Sequence, residues 1–232
     1  MDINVKQKLV YYLKEFVLEQ RWETINDVLQ QRTRHVTVVL EDIYQSHNAS
    51  AVLRSCDCFG IQDVHIIEND HDFNLSKGVT IGADQWLSIK KYKDEATNNT
   101  LTCFEELRER GYRILATTPH KGNVTLEELS IEPKIALVFG AELDGLSETA
   151  LNGADGFVKI PIYGFSESYN VSVSAALCLY EISQKLRDSE INWQLSKNEK
   201  IELQLNWLEK SIRASDQLKQ KFLEEQGWDS GQ

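Results

Sequence analysis

Three short stretches of this sequence bring together residue types that can do chemistry on a phosphate-bearing substrate. The first, NASAVLRSCDCFG (48–60), carries Asn48 and Arg54 on one expected helix that follows a strand. A guanidinium placed there can grip a phosphate through two parallel hydrogen bonds. Spacing alone equally allows Asn48 to be a helix cap and Arg54 a surface cation, or a partner of Asp57 three residues on. The second stretch, VFGAELDGLS (138–147), sets Glu142 between Gly140 and Gly145, with Ser147 placed to cap a following helix. A loop of this kind offers backbone N–H and C=O groups to a nucleoside. The third, IPIYGFSESYNVSVS (160–174), joins a strand to a helix through Gly164 and a run of small polar groups. Ser168 and Asn170 are its hydrogen-bonding and helix-capping candidates.

Several familiar chemistries lack their residues. There is no GxGxxG and no GxxxxGK[ST], which leaves a conventional dinucleotide enzyme or P-loop ATPase without support. Ser168 has no Gly-x-Ser-x-Gly setting. The five histidines, His35, His47, His65, His71 and His120, are scattered and form no HExxH or Cys/His cluster, so no metal is expected. Cys56, Cys58, Cys103 and Cys178 read as free structural thiols.

The elements that must position these stretches alternate. β-branched VTVVLEDI (36–43), DVHIIE (63–68), YRILATT (112–118), KIALVFG (134–140) and FVKIPI (157–162) read as strands. Helical periodicity marks 48–60, with Asn48 as cap, and 102–110, with Thr102 as cap and Glu105 three residues later. It also marks a turn at 125–130, a short helix at 147–154 and a longer one at about 171–187. Residues 69–77 show no element. Strands and helices in this alternation predict an α/β domain with a mostly parallel sheet. Amphipathic helices are expected before it, at 4–31. After it, Ile201, Leu205, Leu208 and Ile212 form one apolar stripe, with Trp193, Trp207, Phe222 and Trp228 adding large apolar surface. Packing on the chain's own core and packing on a second subunit both account for that surface.

The chain has 232 residues, 41% hydrophobic and 26% charged, an ordinary globular balance. Its formal net charge of -11 excludes indiscriminate whole-surface attraction to nucleic acid but not a local basic face. The N-terminal stretch mixes charge into every turn and does not read as a signal peptide. No apolar run is long enough to span a bilayer, so a cytoplasmic protein with no membrane role is expected.

Taken together and in this order, the three stretches resemble the motifs of the SpoU (TrmH-like) branch of the SPOUT RNA 2′-O-ribose methyltransferases. The match covers about 32–188, which leaves helical extensions at 1–31 and 189–232. The resemblance implies an α/β SPOUT sheet with a C-terminal trefoil knot, S-adenosyl-L-methionine as cofactor, a homodimer and a tRNA substrate methylated at a D-loop guanosine. Carried over residue by residue, it implies catalytic roles for Arg54, Asn48, Glu142, Ser168 and Asn170, and cofactor contacts at Thr117, Gly140, Ile160 and Tyr169. RNA contacts are expected from Arg21, Arg32, Arg34 and His47, with His35, Lys90, Lys91 and Lys93 as further candidates. The sequence departs from the family pattern at Tyr169, where Leu is usual, and at Ile162, where Met is frequent. An rRNA substrate, or a non-catalytic RNA-binding scaffold of the same fold, are the competing readings.

Overall fold

The computed structural model describes residues 1–119 and 124–227, so His120 and Trp228 lie outside the described residues. The chain divides into two compact units, Met1–Arg32 with Gln194–Gln232, and Thr33–Trp193. In the first unit α1 (Ile3–Lys14) and α2 (Glu19–Gln31) open the chain, and α8 (Lys197–Ser211) and α9 (Ser215–Glu225) close it. A capping box between Ser196 and Glu199 starts α8. Leu9 and Leu13 of α1, Leu29 of α2, and Ile201, Leu205 and Leu208 of α8 are buried together with Trp207 and Phe222. Ile201, Leu205 and Leu208 of the C-terminal apolar stripe are therefore buried within the chain's own helices, whereas Ile212 is half-buried. Arg32 is only 1% exposed and lies over the Trp207 ring at 5.4 Å, a cation–π contact.

The second unit runs β1 (Val36–Glu41), α3 (Ser46–Cys58), β2 (Asp63–Ile67), the short α4 (Lys77–Thr80) and β3 (Ser88–Tyr92). It continues with α5 (Asn99–Glu109), β4 (Tyr112–Thr117), β5 (Val124–Thr125) and β6 (Lys134–Phe139), then α6 (Glu148–Gly153), β7 (Gly156–Lys159) and α7 (Val171–Arg187). The seven strands lie in the order β3-β2-β1-β6-β4-β7-β5, and every pair is parallel. A parallel sheet needs cover on both faces. One face, carrying Val38, Leu40, Val64, Ile66 and Leu137, is buried with residues of α3 and α7. The other, carrying Val39, Ile67, Ile114, Ala136 and Val138, is buried with residues of α5 and α6. From β7 near one edge, residues 160–170 return to lay α7 against α3, which follows β1. This order and return are consistent with the knotted SPOUT arrangement that the resemblance implies.

The differences from the expected elements lie at their ends and in two strands, β3 and β5, that the sequence pattern did not single out. Helix α3 starts at Ser46 with Gln45 in the cap position, so Asn48 is not a cap but a buried residue of the first turn. Helix α5 starts earlier than expected because Asn98 caps it, its side chain accepting from the Leu101 N–H. Thr102 instead bonds back to the Asn98 carbonyl. Strand β7 stops at Lys159, which leaves residues 160–162 free to line the cavity described below. The turn at 125–128 keeps its Thr125–Glu128 side-chain bond without becoming a helix. No helix among the described residues is long and apolar enough to cross a membrane.

Strand β2 carries a buried polar chain. Tyr92 donates to Glu106 at 2.9 Å, so His65 Nδ1, 3.0 Å from the same phenol oxygen, must be the donor to it. Burial pushes the His65 imidazole down to about 4. The folded state thus favours neutral His65 while the unfolded chain takes up a proton near 6.5. This stabilisation is present in full above pH 6.5 and is lost as the pH falls towards 4, to the extent of about 3 kcal/mol. Denaturant titrations across that interval should show a decline in wild-type stability that His65→Gln flattens. An equal decline in the variant would assign the loss to other groups.

Candidate active site

Because the strands are parallel, the segments that follow β4, β6 and β7 emerge at one edge of the sheet. They line a cavity of about 370 Å³ with Thr117, Gly140, Glu142, Leu146, Ile160, Ile162, Ser168 and Tyr169 among its walls. Thr117 closes its own hydroxyl onto the Val138 carbonyl at 2.8 Å. The loop after β6 folds back on itself: Ala141 and Gly145 exchange two backbone bonds of 2.9 and 3.0 Å. Gly145 takes φ +72°, and a Cβ on Gly140 would stand 2.2 Å from the Gly145 carbonyl oxygen. Both positions therefore require glycine, the first for its left-handed backbone and the second for lack of room. The start of α6 is pinned by buried Glu41 at the end of β1, which accepts from Ser147 N and Oγ, each at 2.9 Å, and from Thr100 Oγ1 at 2.7 Å. Ser147 in turn caps α6 as expected.

The polar centre of the site is a chain of amides whose orientation is fixed from one end. Glu142 Oε1 only accepts, and it receives Asn48 Nδ2 at 2.7 Å and the Gln45 N–H at 3.4 Å. Asn48 must then present Oδ1 to its other side, where Asn170 Nδ2 donates at 3.1 Å. Asn170 Oδ1 accordingly accepts from Ser172 N and Oγ at 2.9 and 2.6 Å, which caps α7. Three segments far apart in sequence meet in this chain. The second oxygen, Glu142 Oε2, is buried and has no hydrogen-bond partner among the described residues. With Asp144 also on the wall, the cavity presents carboxylate to a cationic ligand and open backbone to a nucleoside.

Of the expected residues, Asn48, Glu142 and Asn170 are brought into contact, and Thr117, Gly140, Glu142, Ile160, Ser168 and Tyr169 line the cavity. Tyr169 has its hydroxyl donating to the Pro161 carbonyl at 3.3 Å. Arg54 is exposed on α3, has no hydrogen bond or ion pair among the described residues, and is not part of the cavity wall. His47 and Arg21 are exposed.

Several expected RNA contacts are corrected. Arg32 is buried against Trp207 and offers no guanidinium to a phosphate. Arg34 is held by Asp63 at 3.1 Å, and it precedes β1 at the opposite strand ends from the cavity. His35 is buried and bonds the Ile131 carbonyl at 2.7 Å. Lys90 and Lys91 pair with Glu106 and Glu68. Sequence reasoning missed Gln45, Ser172 and Glu41. Glu41 alone carried a signal, a carboxylate inside an otherwise apolar strand.

Comparison with known proteins places the chain. A family model described as the SpoU rRNA Methylase family matches residues 35–180. A tRNA (guanosine(18)-2′-O)-methyltransferase of Borreliella burgdorferi is 40% identical over 213 residues, which is 92% of this chain and 95% of that protein. One of the same description from Thermus thermophilus is 34% identical over 72% of this chain and 84% of its own length. A crystal structure of the TrmH/SpoU tRNA modifying enzyme of A. aeolicus superimposes with a TM-score of 0.74 at 28% identity, covering 84% of this chain and 98% of that one.

The amide chain makes a prediction that needs no ligand. Asn48→Asp would set a carboxylate where an amide N–H now meets Glu142, and like charges at that distance repel strongly. The variant should lose more than about 2 kcal/mol of stability at pH 7 and recover part of it below about pH 5, as one carboxyl takes a proton. Urea titrations at the two pH values decide it; a loss independent of pH would mean that charge repulsion is not the cause.

Proposed function

The chain belongs to the SpoU methylase family, and we propose that it methylates the ribose 2′-hydroxyl of a D-loop guanosine in tRNA, of the position-18 type, working as a homodimer in the cytoplasm with S-adenosyl-L-methionine as methyl donor. The observation that carries this reading is the Asn48–Glu142–Asn170 junction on the wall of a nucleoside-sized cavity. The two tRNA-directed relatives and the solved tRNA-modifying enzyme support the substrate.

The residues present fit the cofactor. Glu142 and Asp144 complement its positive charges, Glu142 Oε2 is a buried acceptor still to be satisfied, and the backbone at Gly140 and 160–162 is open to a nucleoside. When bound, S-adenosyl-L-methionine supplies a sulfonium methyl group, a strong electrophile. The chain's part is positioning and charge. Thr117, Gly140, Ile160 and Tyr169 hold the cofactor side, with Ser168 at the rim. Asn48 and Asn170 lock the RNA-side helix α3 to that pocket, which fixes the angle of approach of the sugar. The Arg54 guanidinium acts as a hydrogen-bond donor: it grips the adjacent phosphate and stabilises charge developing on the ribose oxygen. His47, next to Asn48, and Arg21 contribute RNA contacts.

The homodimer is supported by α7. Val173, Leu177 and Tyr180 are exposed at helical spacing and form an apolar stripe on a helix that packs beside α3, the helix of Arg54. A second copy seated on this stripe would bring a neighbouring surface towards the solvent-facing guanidinium.

Arg54→Ala should lower methyl transfer to total tRNA by at least about 100-fold, the scale for removing one charge-stabilising donor. Its affinity for S-adenosyl-L-methionine by titration calorimetry should stay close to that of the parent. Nucleoside mass spectrometry with site mapping should find the product at a tRNA guanosine. Product confined to rRNA would reject the substrate, and near-parental activity in the variant would reject the role of Arg54. Leu177→Glu, in turn, should convert the dimer to a monomer in light scattering and reduce transfer. A dimer that persists would move the interface off α7.

A further inference from the structure

A second feature, on the loop before α3, is an exposed aromatic that meets another ring. Tyr44 is 71% exposed and sits between β1 and α3, one residue before Gln45, whose N–H bonds Glu142. The ring of His71 meets it edge-on, with centroids 5.3 Å apart and planes at 68°. His71 is itself fixed by Asp42, whose Oδ1 accepts the backbone N–H groups of Asn69, Asp70 and His71 at 2.8, 2.9 and 3.3 Å. Asp42 takes a left-handed φ of +50° to do so. Asp42 thus holds the backbone of the His71 segment, and the His71 ring lies edge-on against an exposed Tyr44.

The occupant is constrained by charge. Asp70 and Asp72 are exposed in the same loop as His71, which disfavours a phosphate beside the rings. An uncharged base has a π-face for the phenol and N–H donors that carboxylates accept. The rings lie apart in sequence from the α7 stripe assigned to the second subunit, and Tyr44 directly precedes Gln45, whose N–H bonds Glu142.

We propose that Tyr44, braced by His71, stacks on an unpaired base of the RNA beside the nucleotide that is methylated. The inference rests on the ribose-methylating function above and adds a positioning contact to it. The platform holds the flanking base, so its loss weakens RNA capture while the chemical step and the cofactor site stay as they are.

The test is steady-state methyl transfer to tRNA by full-length wild type, Tyr44→Ala, Tyr44→Leu, Tyr44→Phe and His71→Ala. Tyr44→Ala should raise KM for tRNA about tenfold or more, the scale for removing one base–aromatic stack, with kcat changed less than about twofold. Tyr44→Phe should restore the parental KM, and Tyr44→Leu, apolar but without a π-face, should not. His71→Ala should give an intermediate KM. Affinity for S-adenosyl-L-methionine and the mass in light scattering should be unchanged in all four. An unchanged KM in Tyr44→Ala, or rescue by Leu, overturns the platform, and a change of oligomeric state shows instead a contact between copies. If the wild type binds S-adenosyl-L-methionine yet methylates no RNA, the functional reading itself fails and takes the platform with it. Wild-type activity with an indifferent Tyr44 rejects the platform alone.

Discussion

A carboxylate has no proton to give, and the geometry of this site follows from that one asymmetry. Glu142 forces the Asn48 amide to turn its nitrogen inward, Asn48 then forces Asn170, and Asn170 fixes the first turn of α7 through Ser172. Neither amide has a second orientation that keeps all of its bonds. Helix α3, the loop after β6 and the strap before α7 are thereby held in register by side-chain hydrogen bonds. The price is a carboxylate oxygen left buried with nothing among the described residues to satisfy it. Such an atom costs free energy in the isolated chain and favours whatever ligand supplies a donor or positive charge.

The two sides of the site are built differently. The cavity side relies on backbone: a loop closed by mutual Ala141–Gly145 bonds, a Gly140 too crowded for a side chain, and a strand that stops at Lys159 so that 160–162 stay open. This explains why the sequence tolerates unusual side chains there. The Tyr169 ring lies partly in solvent with its hydroxyl on the Pro161 carbonyl, so a residue larger than leucine is accommodated at the rim instead of filling the cavity. Ile162 for Met changes apolar shape and little else. The α3 side relies on side chains instead, and there the identities of Asn48 and Arg54 are what matters.

Much of this was legible in the sequence, and the failures share a cause. Five parallel strands announced themselves because burial on both faces demands continuous β-branched and apolar runs. The three motifs were visible because their small and amide residues interrupt that pattern. What sequence spacing misplaced were polar residues whose partners are far along the chain. Asn48 looked like a cap because local capping is the commonest use of asparagine at a helix start, whereas its partner is 94 residues away. Arg32 and Arg34 looked like an RNA-facing pair, yet one is buried on Trp207 and the other is bound to Asp63. A cation's sequence neighbours do not tell whether its charge is already used.

That last point resolves the apparent conflict between an acidic protein and an RNA substrate. With a formal net charge of -11, and with Arg34, Lys90 and Lys91 each paired with a carboxylate of the same chain, long-range attraction to phosphate is weak. Binding must then depend on a few well-placed groups instead of a basic surface. Arg54 is a cation without a partner among the described residues, and Tyr44 is an aromatic held ready in solvent. One suits a phosphate and the other suits a base. Because base stacking does not depend on counterion release, a protein that recognises RNA this way discriminates by the unstacked shape of its target more than by charge. A loop with splayed bases meets that requirement, and a regular duplex does not.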